Sequence, residues 1–405
     1  MKKIKGIIKK CKIKNNLHEK TDIYKFGFSK FGPLLYGYTV WLMLKIKEND
    51  IKKVYFFSRD GFMMKRAFDS INADKTVETK YVYFSRKSLR QALFWNSKDF
   101  EKSLEYLSSS RYISVNGILE YYGFEDKEIN VLAHSLNLDL KQLYLTKELK
   151  YNKQIENIYY ILFDEIYEKS RNQYLLLKKY LRQIEMNGKC AIVDIGWNGS
   201  MQFYLESIFD IEKEACDLKG FYLGINNLYP IKGHTYGYLY DGAKDRNRKK
   251  VLCALGVFEK LFQSLEGSSI GYYVVNNEVL PQKKQFEYLD NLECTIKIKE
   301  WQKGAMDFIE ICNNIYVNEF DDLSDWAKPI LRFGQFPSIK DVRVFNDFYI
   351  EDDGKQYYVS NKFFWEYKLK EFVQDLNRSP WKTGFMKSVF IIPFPYSLIY
   401  RMLKK

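Results

Sequence analysis

Two stretches of the chain carry the same phrase. Val54-Tyr-Phe-Phe-Ser58-Arg59 is echoed by Val82-Tyr-Phe-Ser85-Arg86. Each apolar run predicts a buried strand, and each ends in a hydroxyl followed by a guanidinium. Those two groups together suit the grip of a phosphate. Open α/β sheets bind their ligands at the carboxyl ends of parallel strands, where these pairs would stand. A third apolar run ends Val193-Asp194-Ile-Gly196-Trp197-Asn198-Gly199-Ser200, with Gln202 in the segment that follows. Its small residues would let backbone N–H groups approach a ligand at a helix N-terminus. If the strands are neighbours, Asp60 and Asp194 point into one crevice. Two carboxylates there could hold Mg²⁺ against a phosphate, or one could serve as acid/base.

Plainer readings stand beside these. Asp60-Gly61 also fits a turn and helix cap, and Ser85-Arg86 also fits a surface pair. Asp194 follows a strongly apolar strand, an unfavourable place for an idle carboxylate. His18, His134 and His234 have no partner spacing, which disfavours Ser-His-Asp chemistry. GxxxxGK[ST], GxGxxG after a strand and HExxH are absent. Glu266-Gly267-Ser268-Ser269 reads as a connector that could line the same crevice.

The elements that must position these residues follow from periodicity. Phe31–Lys47 predicts a buried helix with Pro33 in its first turn. Residues 53–61 predict a buried parallel strand and its exit turn, Phe62–Ser70 a helix, and 79–85 a second strand. Residues 88–185 show amphipathic helical stretches, such as Phe100–Leu107 and Tyr159–Leu181, and no convincing strand. Strand character returns at 188–196 and 220–225, with a helix from near Ser200 between them. A helix over 251–264, a strand over 270–275 and a mainly helical 284–320 follow. Arg343–Asn361 suggests a hairpin around Glu351-Asp-Asp-Gly. The expectation is an α/β protein with a doubly wound parallel sheet. Its core spans 27–87 and 186–280, with a helical insertion over 88–185. A mixed, mainly helical region over 281–380 completes the body, between a basic segment 1–26 and a basic apolar one 381–405.

With 405 residues, the chain is long enough for two or three lobes, and 17% aromatic residues allow a large core. The formal charge of +13 raises nucleic acid as a partner, but its placement argues against one. Residues 1–14 hold seven lysines and no acid, and 381–405 hold Lys382, Lys387, Arg401, Lys404 and Lys405, again with no acid. Two such ends suit an anionic membrane surface. The longest uncharged runs, Phe31–Leu44 and Ser388–Tyr400, have 14 and 13 residues, too few to cross a bilayer. The start lacks the apolar stretch of a secretory signal, and the six cysteines show no CxxC spacing. They read as reduced thiols. The expected location is cytoplasmic, peripheral on the inner face of the membrane.

Phe57-Ser-Arg-Asp-Gly-Phe, Ser85-Arg86, Val193-Asp-Ile-Gly-Trp-Asn-Gly-Ser-Met-Gln, Gly220-Phe-Tyr-Leu-Gly and Leu265-Glu-Gly-Ser together resemble a known group. It is the bacterial proteins described as predicted hydrolases of the haloacid-dehalogenase superfamily, associated with surface polysaccharide synthesis and its glycosyltransferases. The resemblance covers about residues 27–320. It implies a haloacid-dehalogenase-like core with a helical cap, Mg²⁺, and a phosphorylated sugar or glycan as substrate. Carried over, Asp60 falls on the second Asp of the family's DxD, Ser85 on its Ser/Thr and Asp194 on its late acid. Lys178 or Lys179 would supply the lysine. Ser58 stands where the nucleophilic Asp falls. Either Asp60 is the nucleophile in a shifted register, or the site binds phosphate without that reaction. The resemblance thus implies a phosphohydrolase or phosphotransferase. Asp60 and Asp194 would bind metal and carry catalysis. Arg59, Ser85 and Arg86 would hold phosphate, with Ser58, Asn198, Ser200 and Gln202 beside it, and Trp197 would stack on a sugar ring. The alternatives are a non-catalytic partner of a glycosyltransferase and an unusual glycosyltransferase.

Overall fold

The computed structural model describes residues 2–72, 75–97, 99–107, 112–245, 247–315, 323–351 and 354–403. Its strands are β1 (Lys53–Phe57), β2 (Glu78–Val82), β3 (Tyr112–Ser114), β4 (Leu143–Leu145), β5 (Gly188–Trp197), β6 (Cys216–Ile225), β7 (His234–Gly237), β8 (Ser269–Val275), β9 (Glu278–Lys283), β10 (Tyr349–Glu351) and β11 (Lys355–Tyr357). Five of them form one parallel sheet in the order β2-β1-β5-β6-β7. The chain leaves β1 in one direction to make β2 and returns to the other side to make β5. The gap between β1 and β5 is therefore the topological switch point, where helices diverge and a crevice opens.

Alternation along β1 explains why its sequence is apolar throughout. Val54 and Phe56 enter one core cluster; Tyr55 and Phe57 enter the other. The sheet is covered on both faces, so no position of the strand is left for a polar residue. The first face packs against the helices Gly32–Glu48, Gly61–Ile71 and Leu292–Ile315, through Leu42, Met64 and Phe308 among others. The second packs against Phe163–Gln183 and Ser200–Glu212, through Leu177 and Leu205.

Several expectations change. The insertion does contain strands: β3 and β4 pair antiparallel, Ile113 opposite Tyr144. Three residues each is too short for a period to show. Nor does the insertion form a separate cap, because its long helix is one layer of the sheet's second face. The strand at 269–275 lies outside the main sheet and pairs with β9 instead. That hairpin is fastened to the long helix by Gln183, which donates to the Val279 carbonyl and accepts from its N–H. The region beyond 281 shares the first core cluster through Trp301, Phe333 and Trp381. β10 and β11 form the expected hairpin; Asp352 and Asp353 of its turn lie outside the described residues.

The charged ends are not free tails. Lys2–Lys14 is a helix that buries Ile7, Ile8 and Cys11. Near the other end Lys382–Phe390 is a helix that buries Phe385 and Val389. Lys404 and Lys405 lie outside the described residues, as does the Arg401 side chain. No helix among the described residues is long and apolar enough to cross a membrane.

Candidate functional site at the β1–β5 switch point

β1 ends at Phe57, and Ser58–Asp60 turn the chain into the helix Gly61–Ile71. Asp60 occupies the N-cap position, yet its side chain makes no capping hydrogen bond. A carboxylate that only ended a strand and capped a helix would make that bond. Gly61 is required here. A Cβ on it would lie 2.9 Å from the Phe56 carbonyl carbon, so only glycine lets the helix start this close to β1.

The register pairs Phe56 with Val193, and Asp194 is the next residue along β5. Asp194 is 5% exposed, with Oδ2 accepting from the Gly196 N–H at 3.3 Å. Gly196 has φ 91°, which turns its N–H back toward that carboxylate. A third acid joins these two. Glu259, from the helix Leu255–Phe262, accepts the Trp197 indole N–H at 2.9 Å.

The three acids act on one another electrostatically. Burial pushes the Asp60 carboxyl well above its ordinary range, and Asp194 and Glu259 push it further, against the pull of Arg59 and Lys260. Burial raises Asp194 to about 6, against the pull of the Ile195 and Gly196 N–H groups and of Arg86. The phenols of Tyr38 and Tyr222 are raised by burial and then by Asp194, so they face the same carboxylate. Neither gives it a proton: Tyr38 donates to the Phe221 carbonyl and Tyr222 to Gln202 Oε1. The cluster is short of positive charge.

Positive charge stands nearby but is already matched. Glu287 takes Arg59 Nη1 on one oxygen, at 2.5 Å, and the buried Lys260 Nζ on the other, at 3.0 Å. Arg59 also donates to the Glu266 carbonyl, which seats the Glu266–Ser269 loop against the β1 exit turn. Arg59 is therefore held by protein, not presented to a phosphate. The Ser58–Arg59 peptide is cis.

The other expected contacts divide. Ser58 Oγ donates to the Phe84 carbonyl at 3.3 Å. Ser85 caps the helix Arg86–Gln91 by accepting from the Ser88 N–H, and donates its only proton to the Ser269 carbonyl at 2.6 Å. Arg86 is exposed, forms no ion pair among the described residues, and acts on Asp194. Trp197 is bound to Glu259 and stacks on Tyr240 at 6.1 Å, so protein already covers a ring face expected to meet a sugar. Asn198 accepts from Asn226. Ser200 is buried at the first position of its helix. Gln202 is fully buried and bonds to Glu206, Tyr222 and the Leu218 carbonyl, joining helix to sheet. Lys178 is far from the crevice. It pairs with Glu212 and lines a cavity of about 360 Å³ with Met186 and Cys216, at the amino ends of β5 and β6. Lys179 is exposed on the same helix.

The site thus brings Asp60 and Asp194 together and leaves Arg86 at its rim, while Arg59, Ser85 and Gln202 hold the fold. Glu259, Lys260 and Glu287 escaped the sequence reading. One signal was available for Lys260: a base inside the apolar run Val257-Phe258…Leu261-Phe262 is at risk of burial, and a buried charge needs a partner.

No group of three or more metal-ligating side chains occurs among the described residues. Two hard carboxylates fit Mg²⁺, which commonly takes one or two from the protein and its other ligands from phosphate and water. No model of a known protein family matches this chain, and no curated protein matches it in sequence. What the fold and site define is a doubly wound α/β protein with a cluster of partly buried acids at its switch point.

Proposed function

We propose that the protein is a phosphohydrolase or phosphotransferase of haloacid-dehalogenase-like type, acting on a sugar phosphate, nucleotide sugar or lipid-linked glycan intermediate. The observation that carries this is the Asp60 carboxylate. It sits at a helix N-terminus without capping it, lies within the field of Asp194, and forms no ion pair among the described residues, its nearby cations Arg59 and Lys260 being paired with Glu287. Repelling carboxylates, one buried and one half-buried, are costly there unless an external cation or a reacting group uses them.

The residues act as follows. Asp194 and Asp60 would hold Mg²⁺, which would supply positive charge for the phosphate oxygens. Arg86 meets the phosphate from the rim. Asp60 is the nucleophile or the acid/base. A second reading, a phosphate-binding partner of a glycosyltransferase without turnover, is favoured by one observation: Arg59 and Ser85 are already committed to protein atoms.

A panel of sugar phosphates and nucleotide sugars with Mg²⁺, assayed for phosphate release and for equilibrium binding, tests both. Release that falls at least ~100-fold in Asp194→Asn supports the enzyme. Binding without release supports the second reading. No binding and no release sinks both.

A further inference from the structure

Arg59, at the end of β1, is matched by Glu287. Two guanidiniums beyond the neighbouring strand are not matched in this way. The helix Arg86–Gln91 follows β2 at the carboxyl edge of the sheet, with Arg86 and Arg90 four residues apart on it. That spacing puts both side chains on one helix face. Among the described residues, neither forms an ion pair or a hydrogen bond.

Arg90 carries the argument. It is half-buried, and its Nε is closed to solvent without a hydrogen-bond partner. An unpaired buried donor is costly, the more so on a cation. Its Cζ lies 4.5 Å from the centre of the Tyr121 ring. Stacking uses the face of a guanidinium and leaves the N–H groups in its plane free. Burial lowers its proton affinity and Arg86 lowers it further, against the pull of the Tyr121 and Tyr204 phenols. Those phenols donate elsewhere, to the carbonyls of Ser103 and Tyr106. A guanidinium does not give up its proton in a protein, so two like charges stand one turn apart without relief.

Their placement connects them to the acids. Arg86 acts on Asp194. Arg90 follows it by ~6 Å along the helix axis, at ~1.5 Å per residue. One phosphate set between a metal at the acids and Arg86 leaves Arg90 unmatched. A second phosphate joined to the first would match it. We propose that Arg90 binds the second phosphate of a diphosphate-bearing substrate whose first phosphate meets Arg86. This inference rests on the phosphate-site reading and narrows it to a nucleoside diphosphate sugar or a lipid diphosphate. A diphosphate diester carries two negative charges, one for each guanidinium.

Titration calorimetry with Mg²⁺ compares inorganic phosphate, pyrophosphate, a uridine diphosphate sugar and farnesyl diphosphate. Pyrophosphate should bind at least ~10-fold tighter than phosphate, the worth of one further charge-assisted hydrogen bond. Tighter binding still, by the nucleotide or by the prenyl compound, names the source of the diphosphate. Arg90→Met keeps a long side chain against Tyr121. It should abolish the ~10-fold preference for pyrophosphate and leave phosphate affinity unchanged. The unmutated protein gives a second measurement, by mass mapping after treatment with phenylglyoxal, which modifies accessible arginines. Pyrophosphate should protect both Arg86 and Arg90, and phosphate Arg86 alone. Equal affinity for the two anions, or Arg90 still reactive under saturating pyrophosphate, overturns the inference and leaves the phosphate site standing. So does an Arg90→Met protein that loses both anions alike, which would make Arg90 a support of the site. Failure of all four ligands to bind sinks the phosphate-site reading, and this inference with it.

Discussion

Arg59 Nη1 lies 2.5 Å from Glu287 Oε2, across 228 positions of sequence. That contact takes the guanidinium away from the ligand role its strand-end position suggests. It also ties the β1 exit turn to the segment before the helix Leu292–Ile315. With Lys260 on the other oxygen, Glu287 balances two cations at once. Burial alone would raise its carboxyl, but Lys260 and Arg59 carry it down to about 2.

Glu287→Gln should therefore destabilise the protein by ~3 kcal/mol at neutral pH, because it leaves the buried Lys260 and the half-buried Arg59 without a counter-charge. The sign of the pH dependence follows from the lowered value. Stability from this carboxylate is complete above its ordinary value of 4.5 and is lost as the pH falls towards about 2. Urea denaturation of both forms from pH 7 to pH 3 checks this. The gap between them should narrow on acidification; a constant gap would assign the effect to shape.

Asp194 should behave in the opposite way. Its carboxyl is raised from 3.8 to about 6, so the folded state pays nothing below 3.8 and the full cost above about 6. Asp194→Asn mimics the protonated acid. Without metal it should be more stable than the parent at pH 8 by on the order of 2 kcal/mol, with the gain gone near pH 4. Thermal melts in a chelating buffer measure it. A variant less stable than the parent at pH 8 would make Asp194 a structural acceptor, not a carboxylate kept for use.

The frame of the molecule was legible where apolar runs were long and covered on both faces. β1 and β5 announce themselves through Val54-Tyr-Phe-Phe and Cys190-Ala-Ile-Val. β7 did not: His-Thr-Tyr-Gly is a half-covered edge strand with no period-two signal. β9 was hidden by Pro281, which reads as a strand breaker although it stands in a two-stranded hairpin. Asp60 and Asp194 could be found because strand ends are local features. The fates of Arg59 and Gln202 could not, because partners such as Glu287 and Tyr222 are fixed by tertiary packing alone.

The adjacent pair Ser85 and Arg86 separates fold from function within two residues. Ser85 Oγ accepts from the Ser88 N–H at 3.0 Å and donates to the Ser269 carbonyl at 2.6 Å, joining the helix Arg86–Gln91 to β8. A hydroxyl has one proton, so Ser85 cannot also donate to a phosphate oxygen while that bond stands. Ser85→Ala should cost ~1–2 kcal/mol, from the lost cap and the lost bond to β8, and leave phosphate-ligand affinity unchanged in the folded fraction. Arg86 is exposed and pulls the Asp194 carboxyl down. Arg86→Ala should leave the unfolding midpoint within ~0.5 kcal/mol and weaken a bound sugar phosphate about tenfold, the worth of one charge-assisted hydrogen bond. Titration calorimetry and urea melts on both variants read the two effects separately. If Ser85→Ala loses the ligand while Arg86→Ala keeps it, the hydroxyl must leave Ser269 on binding, and the phosphate lies deeper in the crevice than Arg86 reaches.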